Sequence, residues 1–337
     1  MRTGTSYFGN KFPEHAEKDF KNMKENGCSY VVLTFSENDF QYYTKNIAGL
    51  SQQAHCAGLE VHLDPWGVCG IFGGEAYTNF INTSFSSRQI DNRGRPLPVS
   101  CPNNPQTVDF LKSWITASRD CSADYIFWDE PHFYIPRWFG QKGDTWGCRC
   151  GHCKEKYFSI FKKDIPDKIN DEVKSFQRAS LFDFIKTVSE HASANGIKNS
   201  ICLLPDIDNT LLWPEIAGIP AIESIGTDPY WDHLPNITEN TIAEHVETFS
   251  RKIKDIAEKH GKRAHIWIQN FRIKKGDEKF ITIACEAAFS RGIRDITAWS
   301  YMGTEAMSHL ACEDPPKAWK TLTASYKKFN SPDHSSK

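Results

Sequence analysis

The chain has 337 residues and a net charge of −2, from 40 Lys and Arg against 42 Asp and Glu. Hydrophobic residues make up 39% of the chain, which supports a large core and excludes wholesale disorder. The balanced charge excludes a strongly basic surface for nucleic acid, and no apolar run approaches the roughly 18 residues of a membrane span. The first residues lack the apolar stretch of a signal peptide, so we expect a cytoplasmic protein whose 11 cysteines are reduced.

Eight short apolar runs follow one another along the chain, and each is typical of a parallel strand buried on both faces. They cover residues 5–8, 30–35, 60–64, 125–128, 200–204, 222–227, 264–269 and 293–300. Five of them come shortly after a glycine that ends a charged, helix-like stretch, namely Gly27, Gly58, Gly196, Gly261 and Gly292. Glycine just past a helix adopts the left-handed conformation at little steric cost, so this pattern indicates helices that lead into strands.

Helix-like stretches with apolar residues at helical spacing separate these runs. The clearest cover residues 14–26, 171–194, 241–260 and 277–291. Eight alternating units favour a closed (β/α)8 TIM barrel over the alternative of an open parallel sheet. No glycine-rich phosphate-binding motif follows the first strand, which disfavours a nucleotide-binding sheet. We therefore predict a single barrel domain over residues 1–329 and a polar C-terminal tail over residues 330–337.

Two long segments interrupt the alternation of strands and helices. One covers residues 66–104 after the third strand, and the other covers residues 131–150 after the fourth. Both follow the carboxyl ends of strands, which is the face where barrel enzymes build their active sites. We therefore expect the functional site beneath these two segments.

Three cysteines lie within six residues at the end of the second long segment. Cys148, Cys150 and Cys153 have a spacing that lets three thiolates face one tetrahedral Zn²⁺, with a fourth ligand from elsewhere. The candidates for that fourth ligand are Cys101, Cys121 and His152. Because Cys101 lies in the other long segment, a site that includes it would tie the two segments together. Such a site is closed and structural, with no open position for chemistry.

The fourth strand ends in two adjacent carboxyl groups, Asp129 and Glu130. Pro131 cannot continue the hydrogen-bond ladder, so both groups are expected at the carboxyl edge of the strand. Adjacent acidic groups beside the apolar Trp128 disfavour each other's charged form and raise one pKa. A raised pKa suits a general acid that works near neutral pH.

These motifs together resemble the family 42 β-galactosidases of the clan A glycoside hydrolases over about residues 100–160. The resemblance rests on the Cys-Pro-Asn-Asn-Pro segment from Cys101, the strand-four Glu130 and the Cys-x-Cys-x-x-Cys motif from Cys148. It implies that Glu130 is the catalytic acid/base. It also implies that one zinc ion is bound by Cys101, Cys148, Cys150 and Cys153. The chain is much shorter than those enzymes, so we interpret it as a relative of the family and not as a member.

The chain departs from that family at both catalytic positions. Asp129 stands where the family has Asn, and Gln269 stands at the end of strand seven, where the family has its nucleophilic Glu. An amide is a poor nucleophile, so the two-Glu retaining mechanism lacks its second member. Four interpretations stay open: an engineered Gln269; substrate-assisted cleavage by Asp129 and Glu130, similar to the family 20 hexosaminidases; inversion with Asp228 as the base; and sugar binding without cleavage.

Other acidic and aromatic residues follow predicted strand ends and are candidates for sugar binding. They are Asp64, Trp66, Asp206, Asp208, Asp228, Tyr230, Trp231, Trp299 and Glu305. Each has an ordinary alternative as a helix cap, a turn residue or a half-buried core ring. Asp228 and Trp299 are the strongest of these candidates because each lies at a strand end.

We therefore predict a glycoside hydrolase in which Glu130 protonates the glycosidic oxygen, with a carbohydrate as its partner and a structural zinc ion as its cofactor. A non-catalytic carbohydrate-binding barrel is the alternative that Gln269 favours. A metal-dependent hydrolase of another substrate, with Asp129 and Glu130 as ligands, is a third. The sequence leaves open the sugar, the stereochemistry and the oligomeric state, a homo-oligomer included.

Overall fold

The computed structural model describes residues 1–141, 144–205 and 211–331. These residues form ten strands: β1 (Arg2–Tyr7), β2 (Tyr30–Thr34), β3 (Glu60–Asp64), β4 (Arg88–Ile90), β5 (Pro96–Ser100), β6 (Tyr125–Asp129), β7 (Lys198–Leu203), β8 (Ser224–Thr227), β9 (Arg263–Gln269) and β10 (Asp295–Trp299). All except β4 and β5 belong to one closed barrel of parallel strands, in which β10 pairs with β1. The predicted (β/α)8 fold is confirmed, and its eight strands coincide with the eight predicted runs.

Helices alternate with the barrel strands and surround them. The described residues form α1 (Pro13–Glu25), α2 (Glu37–Tyr42), α3 (Thr44–Cys56), α4 (Phe80–Thr83), α5 (Pro105–Asp120), α6 (Gly151–Phe161), α7 (Asp171–Ala194), α8 (Trp213–Ala217), α9 (Glu239–Lys259), α10 (Lys279–Ser290) and α11 (Pro315–Asn330). None of these helices is both long enough and apolar enough to pass through a membrane. Of the predicted polar tail, Asn330 ends α11, and residues 332–337 lie outside the described residues.

Strand and helix faces follow from the sequence pattern. Every residue of β2 and β10 is buried, as the continuous apolar runs predict for strands that are covered by helices outside and packed inside. Helix α9 begins two residues before the predicted position 241, because the Thr238 side chain accepts a hydrogen bond from the Thr241 backbone N–H and caps the helix. The buried face of α9 carries Ile242, Val246 and Ile253 against the barrel.

The two long segments pack against each other over the carboxyl ends of the strands. Strands β4 and β5 form an antiparallel hairpin within the first segment. The hairpin accepts a backbone hydrogen bond at Ile90 O from Arg149 N (2.8 Å), and Asn92 N donates to Trp146 O of the second segment (3.1 Å). The two segments therefore form one layer around the mouth of the barrel.

Candidate active site

A cavity of about 620 Å³ opens at the carboxyl face of the barrel. Five carboxylic residues line it, namely Glu75, Asp129, Glu130, Asp228 and Asp232. Six aromatic residues also line it, namely Phe127, Trp138, Tyr230, Trp267, Phe271 and Trp299. A concave site that combines apolar rings with a few converging polar groups is the usual form of a small-molecule pocket.

Glu130 has an unusual backbone conformation at the point where β6 meets its outgoing segment. Its φ angle is 41°, in the left-handed region that costs a residue with a Cβ about 1–3 kcal/mol. The backbone is held there from both sides, because Glu130 N donates to Cys202 O (3.1 Å) and Gly73 N donates to Asp129 O (2.9 Å). Strained backbone of this kind clusters at active sites, where it aims a side chain.

The segment after Glu130 is pinned by a buried histidine. His132 Nδ1 lies 2.6 Å from Glu130 O, and His132 N donates to Ile71 O (2.9 Å). Burial lowers the pKa of His132 to about 4, so its ring is neutral near pH 7 and Nδ1 can donate to the carbonyl. The ring edge of His132 packs on Trp138, with centroids 4.5 Å apart, and Trp138 is 42% exposed at the cavity mouth.

The carboxyl groups of Asp129 and Glu130 converge above Gly73. A Cβ at Gly73 would lie 2.5 Å from Asp129 Oδ2 and 3.0 Å from Glu130 Oε2, so these two oxygens are no more than 5.5 Å apart. Only glycine leaves room for both groups at this point. The sequence predicted that the two carboxyls are adjacent, and the structure adds that both approach the same part of the first long segment.

Glu130 forms a hydrogen bond with Asp228, and this pair sets the protonation of the cavity. Burial raises the pKa of Glu130 well above its usual value, and the charge of Asp228 and its hydrogen bond raise it further. Burial also raises the pKa of Asp228 to about 7, although the hydrogen bond from Glu130 opposes that rise. A hydrogen bond between two carboxyl groups needs one proton, and the raised pKa values of both groups favour a pair that keeps this proton near neutral pH.

Two further carboxyl groups surround this pair. Asp64 is completely buried behind the lining residues, and neither of its carboxyl oxygens has a hydrogen-bond partner among the described residues. Burial, with the charge of Asp129 next, raises the pKa of Asp64 well above its usual value. Glu75 faces the cavity and accepts a hydrogen bond from Trp66 Nε1 (3.1 Å), while burial raises its pKa. Asp64, Glu75, Glu130 and Asp228 therefore all favour their neutral forms.

The predicted aromatic residues divide into two groups. Tyr230 and Trp299 line the cavity. Trp66 is not among the lining residues, and it contacts the site through Glu75 and through a stack on Phe8 with ring centroids 5.6 Å apart. Trp231 is fully buried and also lies outside the lining. Of the other candidates, Asp206 and Asp208 lie outside the described residues, so their positions stay a prediction.

Gln269 lies at the predicted end of β9, but its amide is held by backbone groups. Its Oε1 accepts hydrogen bonds from Trp231 N (2.8 Å) and Asp232 N (3.0 Å), and its Nε2 donates to Phe271 O (3.0 Å). The side chain is buried and does not line the cavity. The amide oxygen accepts two bonds and the amide nitrogen donates one, which is a positioning role for the segments after β8 and β9.

Several lining residues were not identified from the sequence. At the mouth, Arg272 Nη1 lies 3.3 Å from Asp232 Oδ2, and Arg272 Nη2 lies 2.9 Å from His309 Nε2. Arg272 also has a positive φ angle of 52°. Asp232 follows the same strand end as Asp228, so the sequence could have indicated it. Glu75 and Trp138 lie on the two long segments and His309 follows β10, and the sequence does not predict the course of the chain there.

The four cysteines of the predicted metal site meet beneath the two long segments. The Sγ atoms of Cys101, Cys148, Cys150 and Cys153 all lie within 4.8 Å of one another, and all four residues are buried. Cys101 Sγ lies 3.4 Å from Cys153 Sγ and 3.6 Å from Cys150 Sγ. Four thiolates around one zinc ion at about 2.3 Å have sulfur–sulfur distances of roughly 3.8 Å, so the set fits a tetrahedral site.

The other candidates for the fourth ligand are not part of this group. Cys121 Sγ donates to Thr44 O at 3.4 Å, and the His152 side chain is exposed. Hydrogen bonds to sulfur complete the surroundings of the four cysteines: Ile90 N and Cys150 N each donate to Cys148 Sγ at 3.4 Å. Hydrogen bonds from the Cys101 and Cys148 thiols lower the pKa of Cys150 strongly, whereas burial raises the pKa of Cys101 well above its usual value. Within the described ranges, no carboxylates of the cavity form a comparable group of metal ligands.

Comparisons with known proteins show the fold. No family model and no curated protein sequence matches this chain. An endo-1,4-beta-mannanase from Rhizomucor miehei has a TM-score of 0.58 and 11% identity, over 97% of this chain and 95% of that one. A protein from Bacteroides thetaiotaomicron assigned as an alpha-L-fucosidase has a TM-score of 0.57 and 10% identity, over 97% and 92%. A D-psicose 3-epimerase has a TM-score of 0.51 and 10% identity, over 98% of both chains. Identities this low establish a shared barrel and do not distinguish between these reactions.

Proposed function

We propose that this protein is a glycoside hydrolase in which Glu130 protonates the glycosidic oxygen of the leaving group. The observation that carries the proposal is the convergence of Glu130, Asp129 and Asp228 in one aromatic-lined cavity at the carboxyl face of a barrel. The raised pKa keeps Glu130 protonated near neutral pH, as a general acid requires. Aromatic side chains can stack on sugar rings while the carboxyl groups bind hydroxyls. The mannanase and the assigned fucosidase among the structural neighbours agree with a sugar substrate.

In the first step the Glu130 proton moves to the leaving group. Glu130 gives its proton to the glycosidic oxygen as the bond between that oxygen and the anomeric carbon breaks, and the electron pair of the bond stays on the oxygen. Asp228 holds the Glu130 carboxyl in place before the step. The ionised Glu130 can then take a proton from the water that attacks the anomeric carbon.

The roles of the other candidates follow from their contacts. A hydrogen-bonded pair is too close for the roughly 6.5–9.5 Å that separates the acid and base of inverting enzymes, so we assign Asp228 to positioning the acid. Gln269 is buried outside the cavity lining with its amide bonded to backbone groups, so we assign no nucleophile to the end of β9. We propose that the Asp129 carboxyl orients the substrate beside the acid, since Asp129 Oδ2 and Glu130 Oε2 both lie above Gly73.

Substrate-assisted cleavage is a second candidate mechanism, and the neighbouring positions of Asp129 and Glu130 favour it. Two carboxyls on the same side of a sugar cannot attack and protonate from opposite faces, whereas one of them can orient a 2-acetamido group that attacks the anomeric carbon. This mechanism predicts cleavage of 2-acetamido-2-deoxy glycosides and no cleavage of the matching 2-hydroxy glycosides. Comparable rates on both types of substrate would contradict it.

We propose that the four cysteines bind a structural zinc ion. When bound, the ion supplies a fixed link between the two long segments that surround the cavity. Cys101 belongs to the first segment, and Cys148, Cys150 and Cys153 belong to the end of the second and the start of α6. No step of the reaction depends on this ion.

The test compares Glu130→Gln with the wild type on a panel of aryl glycosides. We expect kcat to fall about 10²- to 10⁴-fold, and to fall most for poor leaving groups, because these need the proton most. Glu17→Gln is the matched control, since Glu17 is exposed on α1 and pairs only with Lys21 at the surface. Equal activity of the wild type and Glu130→Gln would refute the assigned acid. Tight binding of sugars without turnover of any substrate would instead favour a non-catalytic carbohydrate-binding barrel.

A further inference from the structure

A second cavity of about 380 Å³ lies on the same face of the barrel, at the carboxyl ends of β1 and β10. We call it the β1–β10 groove. Tyr7, Phe8 and Asn10 line it from the β1 side, and Tyr301 and Glu305 line it from the β10 side. Asp19 of α1 also lines it. None of these residues takes part in the proposed reaction.

The groove and the catalytic cavity share one wall. The Phe8 ring stacks on the Trp299 ring with centroids 5.2 Å apart and an angle of 22° between the planes. Trp299 lines the catalytic cavity, and the next residue, Ser300, lines the groove. A chain of sugar units that extends from the catalytic cavity across the stacked Phe8 and Trp299 rings would therefore meet the groove.

The groove presents hydrogen-bonding groups that suit neutral hydroxyls. Asp19 Oδ2 accepts from Tyr7 Oη (2.7 Å), and Asp19 Oδ1 accepts from Tyr301 Oη (3.2 Å). Asn10 Nδ2 donates to the same Tyr7 hydroxyl (3.0 Å), and the Glu305 carboxylate is exposed. Of the described residues that line the groove, none is Lys, Arg or His. A uronate or a sulfated sugar would meet two carboxylates and no cation here, so the charge favours neutral sugar units.

We propose that the β1–β10 groove binds the outer units of a neutral oligosaccharide whose scissile bond lies at Glu130. This inference rests on the proposed function and adds the class of substrate: a chain of several neutral sugars, and not a single sugar on a small leaving group. Aromatic edges at Phe8 and Tyr301, with carboxylate and hydroxyl groups beside them, supply the contacts for those units.

The experiment measures how kcat/KM depends on chain length. The probes are fragments of one to five units from β-1,4-mannan, β-1,4-glucan, β-1,4-galactan and β-1,4-xylan, with oligogalacturonate as the acidic comparison. The double variant Tyr301→Phe, Glu305→Gln removes two polar groups of the groove and keeps the Tyr301 ring on Trp319. We expect the ratio of kcat/KM for the four-unit fragment to that for the two-unit fragment to fall about five-fold in this variant. Glu17→Gln, which changes a carboxylate outside the groove, is the control and should leave the ratio unchanged.

Binding to Glu130→Gln protein separates failure of the groove from failure of the proposed function. If no fragment is cleaved by the wild type, but four-unit neutral fragments bind this protein more tightly than two-unit fragments, the groove stands and the hydrolase proposal falls. Cleavage with a kcat/KM independent of chain length overturns the groove alone. Preference for oligogalacturonate overturns the assigned substrate class, and loss of both cleavage and binding overturns both proposals.

Discussion

At the scale of single residues, the carboxyl pair has a consequence for stability. Asp228 has an ordinary pKa of 3.8, which burial raises to about 7 in the folded protein. Between these two values the folded state binds more protons than the unfolded state, so the free energy of unfolding falls as pH rises from about 4 to about 7. The raised pKa of Glu130 acts in the same direction. These two carboxyl groups therefore destabilise the folded protein less in mildly acidic solution than at neutral pH.

Asp228→Asn should remove much of this pH dependence. The amide stays neutral at all pH values and its oxygen can still accept from Glu130, so we expect the variant to exceed the wild type in unfolding free energy at pH 8 by on the order of 2 kcal/mol. At pH 5 the difference should be much smaller, and catalytic activity should fall at both values. Chemical denaturation at the two pH values measures this. Asp232→Asn is the control. Its partners His233 and Arg272 lower the pKa of Asp232, so this substitution should lower the unfolding free energy at pH 8 where Asp228→Asn raises it. Equal pH dependence in Asp228→Asn and the wild type would contradict the assignment.

Gln269→Glu tests whether a carboxylate belongs at the end of β9. The two backbone donors would still be bound, but a carboxylate oxygen would replace Nε2 at 3.0 Å from the Phe271 carbonyl. Two acceptors in contact inside the protein, in a side chain only 1% exposed, should cost about 2–4 kcal/mol of unfolding free energy. Activity should not rise. Gln52→Glu, at an exposed position of α3, should change stability by less than about 0.5 kcal/mol. A more active and equally stable Gln269→Glu protein would instead indicate an engineered position.

These residues also indicate how far a sequence can predict a site. Glu130 and Asp228 follow buried strands directly, so their place at the carboxyl face could be predicted from strand ends alone. The role of Gln269 could not, because it depends on backbone donors 38 and 37 residues away whose positions the loop conformation sets. Trp231 was expected at the sugar for the same reason as Tyr230, and only the turn after β8 decides that one ring lines the cavity and the next is buried.

At the scale of structural elements, the first long segment approaches the two carboxyl groups that we propose act in catalysis. Gly73→Ala adds a methyl group 2.5 Å from Asp129 Oδ2, closer than real Cβ contacts come, and 3.0 Å from Glu130 Oε2. Either the carboxyls or the segment must shift, so we expect at least a ten-fold loss of kcat/KM, since a displacement of about 1 Å at a reacting group is this costly. Gly151→Ala is the matched control, because its methyl group would meet no atom within 4 Å. Unchanged activity in Gly73→Ala would place the carboxyls elsewhere in solution.

Some elements could be predicted from their own residues, whereas others depend on contacts with distant parts of the chain. The eight barrel strands could be predicted because each is a short apolar run, and these runs alternate along the chain with stretches whose apolar residues have helical spacing. The β4–β5 hairpin could not, because β4 has three residues and β5 contains two prolines. Its stability comes from contacts with the second long segment, such as Tyr134 N donating to Gln89 Oε1 (3.2 Å). Contacts between residues more than 40 positions apart produce no periodic pattern of apolar residues in either segment, so the sequence pattern does not reveal the hairpin.

At the scale of the whole molecule, the barrel and the layer over its mouth are held together differently. The barrel is closed by parallel pairing all the way round and has a continuous apolar core. The two long segments contribute a short hairpin and irregular chain, and the four cysteines lie where these segments meet. A zinc ion there would stabilise chiefly the layer that surrounds the cavity, so the shape of the cavity would depend on the metal more than the barrel would.

Replacing one ligand should therefore remove the metal and weaken the protein. Cys101→Ser leaves three thiolates from one segment and breaks the link to the other, so we expect bound zinc to fall from one ion per chain to well below one. The free energy of unfolding should fall by on the order of 5 kcal/mol, which lowers the melting temperature by roughly 10 °C in a chain of this size. Metal analysis and calorimetry measure the two effects. Cys56→Ser is the matched control, because Cys56 is an exposed cysteine outside the cluster, and it should keep both zinc and stability. A chelator should abolish activity together with the change in tryptophan emission that reports unfolding of the layer, whereas loss of activity with unchanged emission would indicate a catalytic metal.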